Sequence, residues 1–284
     1  MGSLIKNNEN IIINIKPKYT TDLGGKFLFM RHGKTEFNSD KDKLRQVNPS
    51  YIDCHLSSKG IEQVKSKQKI INSISIEKVY VSPFYRALQT VSLLLENYPN
   101  INNISIIVHP KIAEIGGCTH DFIFDIKENK KDFNMNSKIK FDWSEFDEYV
   151  KKIKYDENFF YFEEFNNLSE DIKSEIYHTL KELYDKKEIK QYKKAIEKLA
   201  TVRIKNHKKF ESINHEYNRF LEFKNNLNKN HKFTLKDKNK KILVVSHSSF
   251  IKISTSPGPY HENNKKAHPS CHPVKNAEII SIYF

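Results

Sequence analysis

Apolar positions along this chain follow two different periods. Lys26–Met30 (KFLFM) is a short apolar burst behind Gly24-Gly25 and reads as a buried strand. Val79–Ser82 reads as a second strand, and the β-branched stretch Ile104–Ile112 as a third. Lys241–Val245 (KILVV) is nearly continuous in its apolar character, as a central parallel strand requires. Ala277–Phe284 is the last strand. Between strands the period lengthens. Phe84, Ala87, Leu88, Val91 and Leu95 fall at i, i+3, i+4, i+7 and i+11, one face of a helix that Pro83 is placed to open. Leu56–Gly60 reads as a turn capped into a helix that runs towards Ser73, with Glu62 assisting in its first turn. Alternating strands and helices predict an α/β protein: three layers, α/β/α, around a mostly parallel central sheet.

Two stretches depart from this pattern. Residues 1–25 are polar and Asn-rich apart from Ile11-Ile12-Ile13, and read as an N-terminal extension that packs in part on the body. From about residue 121 to 210 the chain is rich in Lys and Glu, with helical period over Leu168–Lys187 and Glu188–His207. A further helix is expected from Glu211-Ser212 to Leu227. The organisation expected is one α/β domain over 26–284 with a large helical insertion at about 121–210. Trp143 reads as a packing residue of that insertion.

Composition narrows the function classes. Only 38% of the 284 residues are hydrophobic, 29% are charged, and the net charge is +13. Much of the excess is Lys and Asn, so the charge reads as a solvated surface that also favours anionic substrates. The Lys-rich stretch 181–209 carries few aromatics for stacking on bases, and a nucleic-acid partner is not expected. Three scattered cysteines, Cys54, Cys118 and Cys271, form no disulfide framework and suit a reducing compartment. No apolar run reaches membrane-spanning length, and the cytoplasm is the expected location. His268, Cys271 and His272 sit too close together and lack a fourth partner for a zinc site, so no metal is expected.

The strand ends carry the chemistry. Ligands of such sheets sit beyond the carboxyl ends of the strands. Arg31 and His32 leave the first strand. Ser82 ends the second, and Arg86 lies in the first turn of the next helix. Glu114 follows the third strand and His247 the fourth. A neutral imidazole is a nucleophile, and guanidinium forks match phosphate oxygens. A cation near a helix N-terminus opposes the dipole, which by itself argues for a bound anion beside Arg86. Glu114 is the carboxyl of the set and the candidate proton donor, with Glu96, Asp121 and Asp125 as rivals. Phosphoryl transfer asks for little beyond positioning and charge stabilisation.

These stretches resemble a known family. Arg31-His32-Gly33-Lys34-Thr35-Glu36-Phe37-Asn38 resembles the signature of the histidine phosphatase superfamily, in its phosphoglycerate-mutase-like branch 1. Ser82-Pro83-Phe84-Tyr85-Arg86-Ala87-Leu88-Gln89-Thr90 resembles its S-P-x-x-R-A-x-Q-T motif. Leu56-Ser57 with Gly60 and Gln63, Val244–Phe250 around His247, and Asn276-Ala277-Glu278 follow in order. The resemblance implies that His32 becomes phosphohistidine and that its Nδ1 bonds a backbone carbonyl, freeing Nε2. It implies that Arg31, Arg86 and His247 hold the phosphoryl oxygens, and that Glu114 protonates the leaving oxygen. Gly33, Thr35, Asn38 and Ser248 are implied as substrate-binding positions. The implied activity is a metal-independent phosphatase of phosphorylated small molecules without a cofactor.

Departures from the pattern leave two alternatives. Ser248-Ser249 stand where most members carry Gly after the second histidine; some plant-type members resemble it in carrying H-S-G there. The Arg-rich and aromatic run that follows the acid in true mutases is missing. A phosphoglycerate mutase using 2,3-bisphosphoglycerate is the neighbouring alternative, and a non-catalytic phospho-ligand-binding or scaffold protein the alternative of another class. The resemblance also admits a homodimer.

Overall fold

A computed structural model of the chain describes residues 18–114, 118–121, 123, 126–135, 139–152, 170–191, 194, 213–231, 239–256 and 272–284. Seven strands form one sheet: β1 (Lys18–Thr20), β2 (Phe27–Arg31), β3 (Ile76–Val81), β4 (Ser105–Val108), β5 (Phe141–Asp142), β6 (Lys241–Ser246) and β7 (Ile279–Tyr283). Their order is β1-β7-β2-β6-β3-β4-β5. The five strands from β2 to β5 in that order pair in parallel, and β7 and β1 add an antiparallel edge. The KILVV run is thus β6, paired on both sides and buried on both faces.

The period of two along each strand separates two apolar layers. Leu28, Met30, Val79, Val81, Leu243 and Val245 face one side; Phe27, Phe29, Tyr80, Ile242 and Val244 face the other. After β2 comes the short α1 (Glu36–Ser39). On the first side lie α2 (Ser58–Lys65), α3 (Gln68–Asn72), α4 (Tyr85–Leu94), α5 (Ile126–Met135), α6 (Ser144–Lys152) and α7 (Glu170–Asp185), which contribute to its core. On the second lie α8 (Ile213–Asn230) and α9 (Ser248–Ser254), through Phe220, Phe223, Leu227, Phe250, Ile251 and Ile253. The α/β class and its mostly parallel sheet are as the sequence predicts.

Several boundaries differ from expectation. The helix expected to run from Ser57 to Ser73 is two helices, because the chain turns at Ser66 and Lys67. Ser57 caps α2 by accepting from the Gly60 amide, so Gly60 and not Glu62 occupies the N3 position. Helix α4 begins at Tyr85, two residues after Pro83, and the Tyr85 amide donates to Asp53 Oδ1 at 2.9 Å. The third strand ends at Val108, and Pro110 opens a 3-10 turn, Pro110–Ile112, that consumes the rest of the predicted run. Strand β5 and helices α5 and α6 lack a strong sequence signal. Trp143 packs in the core beside Phe146, as expected of it. Most of the predicted helix 188–207 and the His268-Cys271 pair lie outside the described residues. Among the described residues no helix is long and apolar enough to cross a membrane.

Candidate active site

Four strand ends meet at one edge of the sheet, and the motif residues hold one another there. Arg31 closes β2, and the His32 amide donates to the Ser246 carbonyl of β6 at 3.0 Å. The loop after His32 is fixed amide by amide. Gly33 N–H donates to Thr90 Oγ1 at 3.1 Å, Lys34 N–H to Gln63 Oε1 at 3.0 Å, and Leu56 N–H to Gln89 Oε1 at 2.8 Å. Asn276 Nδ2 donates to the His32 carbonyl at 3.2 Å. Buried amides need partners, and here the Gln and Thr of the motifs supply them. Helix α2 lies against this loop so closely that a Cβ on Gly60 would sit 1.9 Å from the Lys34 carbonyl oxygen. That position admits only glycine.

His32 is 2% exposed, and its Nδ1 lies 2.7 Å from the Gly33 carbonyl oxygen. A carbonyl only accepts, so Nδ1 carries the proton and Nε2 keeps its lone pair. Burial, then the charges of Arg86 and Arg31, push the His32 imidazole well below its usual range and keep it neutral. Arg31 Nη1 donates to the Val274 carbonyl at 3.0 Å, while its buried Nε meets no acceptor among the described residues. Glu114 is half-buried beyond the 3-10 turn, near enough for its charge to support the Arg31 cation against desolvation.

Arg86 is fully buried, with Phe84 packed against its guanidinium. Its Nε donates to His247 Nδ1 at 3.3 Å, its Nη1 to the His120 carbonyl at 2.5 Å, and its Nη2 to Asp121 Oδ1 at 3.2 Å. Accepting at Nδ1 places the His247 proton on Nε2, which donates to Ser82 Oγ at 2.7 Å. The His32 and His247 ring centroids are 5.2 Å apart. Thr35 and Asn38 form a capping box on α1, Thr35 Oγ1 accepting from the Asn38 amide at 3.1 Å. Ser248 opens α9 directly after His247, while Ser249 Oγ turns away to Glu216 Oε2 at 2.9 Å. His32, Arg31, Arg86, His247 and Glu114 therefore share one neighbourhood. Thr35 and Asn38 are engaged in shaping its loop.

The structure adds residues that motif reading passes over. His120 stacks on Phe37 at a centroid distance of 3.8 Å, and its Nε2 lies 3.1 Å from Asp121 Oδ1. Asp121 is buried against Arg86, and its Oδ1 is engaged as the acceptor of the Arg86 Nη2 donor. The one sequence signal for this pair was that Asp121 stands among the acids following Glu114.

Buried neutral histidines make stability depend on pH. Burial lowers His32, His120 and His247 well below the usual value and brings His109 down to about 3. Below about pH 6.5 the unfolded chain takes up protons that these native rings refuse, so each costs about 1.4 kcal/mol of stability per further pH unit. Asp53 opposes them: burial raises it to about 6, so the native state protonates it first as pH falls. His231, also lowered by burial, joins the histidines, and Glu145, also raised by burial, joins Asp53; the five rings outweigh the two acids. The urea midpoint is expected to fall between about pH 7.5 and about pH 5.5. A midpoint that holds or rises would mean that these rings are charged in the native state.

Residues 27–144 match the family model of the histidine phosphatase superfamily (branch 1). A protein of Danio rerio named fructose-2,6-bisphosphatase TIGAR B is 32% identical over 87 residues, which cover 31% of this chain and 32% of the relative. The probable fructose-2,6-bisphosphatase TIGAR A of the same organism is 31% identical over 85 residues, covering 30% and 32%. The chain thus spans about a third of the length of the curated relatives it matches. Among solved structures, the ecdysone phosphate phosphatase of Bombix mori aligns at TM-score 0.42 and 14% identity, over 87% of this chain and 86% of that one.

Proposed function

We propose that this chain, whose residues 27–144 match the family model of the histidine phosphatase superfamily (branch 1), hydrolyses phosphomonoesters through a phosphohistidine formed on His32. The observation that carries this reading is the state of His32: neutral, its Nδ1 proton committed to the Gly33 carbonyl, and two guanidinium groups beside it. Nε2 attacks phosphorus in line, and the N–P bond forms as the ester P–O bond breaks. Glu114 gives its proton to the leaving oxygen. Water then attacks the phosphoryl group, the P–N bond breaks, and Glu114 recovers a proton from that water. Arg31 and Arg86 stabilise the charge on the transferring oxygens, with Arg31 Nε as the donor awaiting an acceptor.

His247 enters this scheme with a narrower role than a simple phosphate donor. Its proton is directed to Ser82 and its lone pair to Arg86, so it orients the guanidinium and passes donor capacity to the Ser82 hydroxyl. No step requires a metal or a cofactor; 2,3-bisphosphoglycerate enters only if the chain isomerises phosphoglycerates instead. The substrate class is phosphorylated small molecules, and sugar bisphosphates belong in any screen because two relatives are named for one.

The decisive experiment is rapid quenching with radiolabelled substrate. Acid-labile label is expected on the peptide carrying His32. Turnover without such label, or label on another residue, would end the proposal.

A further inference from the structure

The turn Cys118–Asp121 gathers three donors of different kinds outside the set that carries the hydrolysis. Cys118 Sγ lies 3.0 Å from His120 Nδ1 and 3.4 Å from Asp121 Oδ2. One donor atom from each of the three residues lies within 4.8 Å of the other two. We propose that Cys118, His120 and Asp121 bind a divalent, zinc-class cation through Sγ, Nδ1 and Oδ2, on the wall of the phosphate pocket.

The dimensions suit such an ion. Zinc bonds of about 2.0–2.3 Å at tetrahedral angles need donor–donor edges of about 3.3–3.7 Å. The two sulfur edges measured are 3.0 and 3.4 Å, and the remaining edge is within 4.8 Å; with three protein donors, water takes the fourth position. The ring is already turned correctly. His120 Nδ1 is the ring nitrogen on the sulfur side, 3.0 Å from Cys118 Sγ, so its lone pair is the one offered to the cation. Asp121 is held in turn by the Cys118 amide at Oδ2 and by Arg86 at Oδ1. A thiolate, an imidazole and one carboxylate select a borderline ion over magnesium or calcium, which ask for oxygen ligands.

The proton balance closes. On binding, the Cys118 S–H bond breaks and its proton passes to buffer, while His120 binds as the neutral ring and keeps its Nε2 proton. The ion brings two positive charges and one proton leaves, so the cluster gains one positive charge beside Arg86, which Asp121 already pairs. Because Arg86 rests on the His120 carbonyl and on Asp121, the bound ion pins the turn that holds Arg86. No step of the proposed hydrolysis uses it.

The test is a Co²⁺ titration of the full chain after chelator treatment, read by the thiolate-to-cobalt charge-transfer band. The band is expected to saturate at one equivalent and to be displaced by Zn²⁺. It should persist in Cys54→Ser and Cys271→Ser and vanish in Cys118→Ser. His120→Asn and Asp121→Asn should each weaken Co²⁺ binding by at least about tenfold, and they carry the test if Cys118→Ser does not fold. A wild-type protein without the band, a band retained in folded Cys118→Ser, or its loss in Cys271→Ser would overturn the assignment.

Discussion

His32→Ala is expected to lower phosphatase turnover by roughly a thousandfold or more, because the covalent route disappears with its nucleophile. The geometry makes this variant informative. The ring is buried, and its one hydrogen bond among the described residues is Nδ1 to the Gly33 carbonyl, so its loss leaves the loop's amide anchors at Thr90 and Gln63 in place. Binding of orthophosphate to Arg31 and Arg86 should therefore survive in the variant. Steady-state turnover of a screened phosphomonoester is the measurement. Activity within about tenfold of wild type would mean that water attacks phosphorus directly, with His32 a bystander.

Glu114→Gln separates the proton donor from its rivals. Hydrolysis of an ester with a poor leaving group should slow by about a hundred- to ten-thousandfold. A nitrophenyl phosphate should lose far less, since nitrophenolate departs without a proton. Asp121→Asn serves as the comparison, because Asp121 is the buried acid that contacts Arg86. If the leaving-group dependence followed Asp121 and spared Glu114, the roles would have to be exchanged. Equal losses with both esters in Glu114→Gln would point to a positional role for Glu114.

The local signals of the chain carried much of this architecture. Continuous apolar runs at Phe27–Met30 and Lys241–Val245 marked strands buried on both faces, and both lie inside the parallel sheet. The helical face of Phe84, Ala87, Leu88, Val91 and Leu95 is wholly buried. The signals failed where tertiary partners replace local ones. Pro83 suggested the first helical position, but the cap of α4 comes from Asp53, some thirty residues earlier. Strand β5 is two residues long and exists because β4 offers it an edge.

What the amino-acid order determined by itself was the set of chemical groups and the strand ends that deliver them: an imidazole and a guanidinium after one strand, a second guanidinium and a second imidazole after two others. Alternation and helical period are local properties, so they can be read without knowing the fold. What only the tertiary structure decided was how those groups spend their hydrogen bonds. The Nδ1 proton of His32 goes to Gly33, Arg86 is shared among His247, His120 and Asp121, and a cysteine, a histidine and an aspartate close into one cluster. Such partnerships depend on distances between segments far apart in the chain, and those distances are set by packing on the sheet.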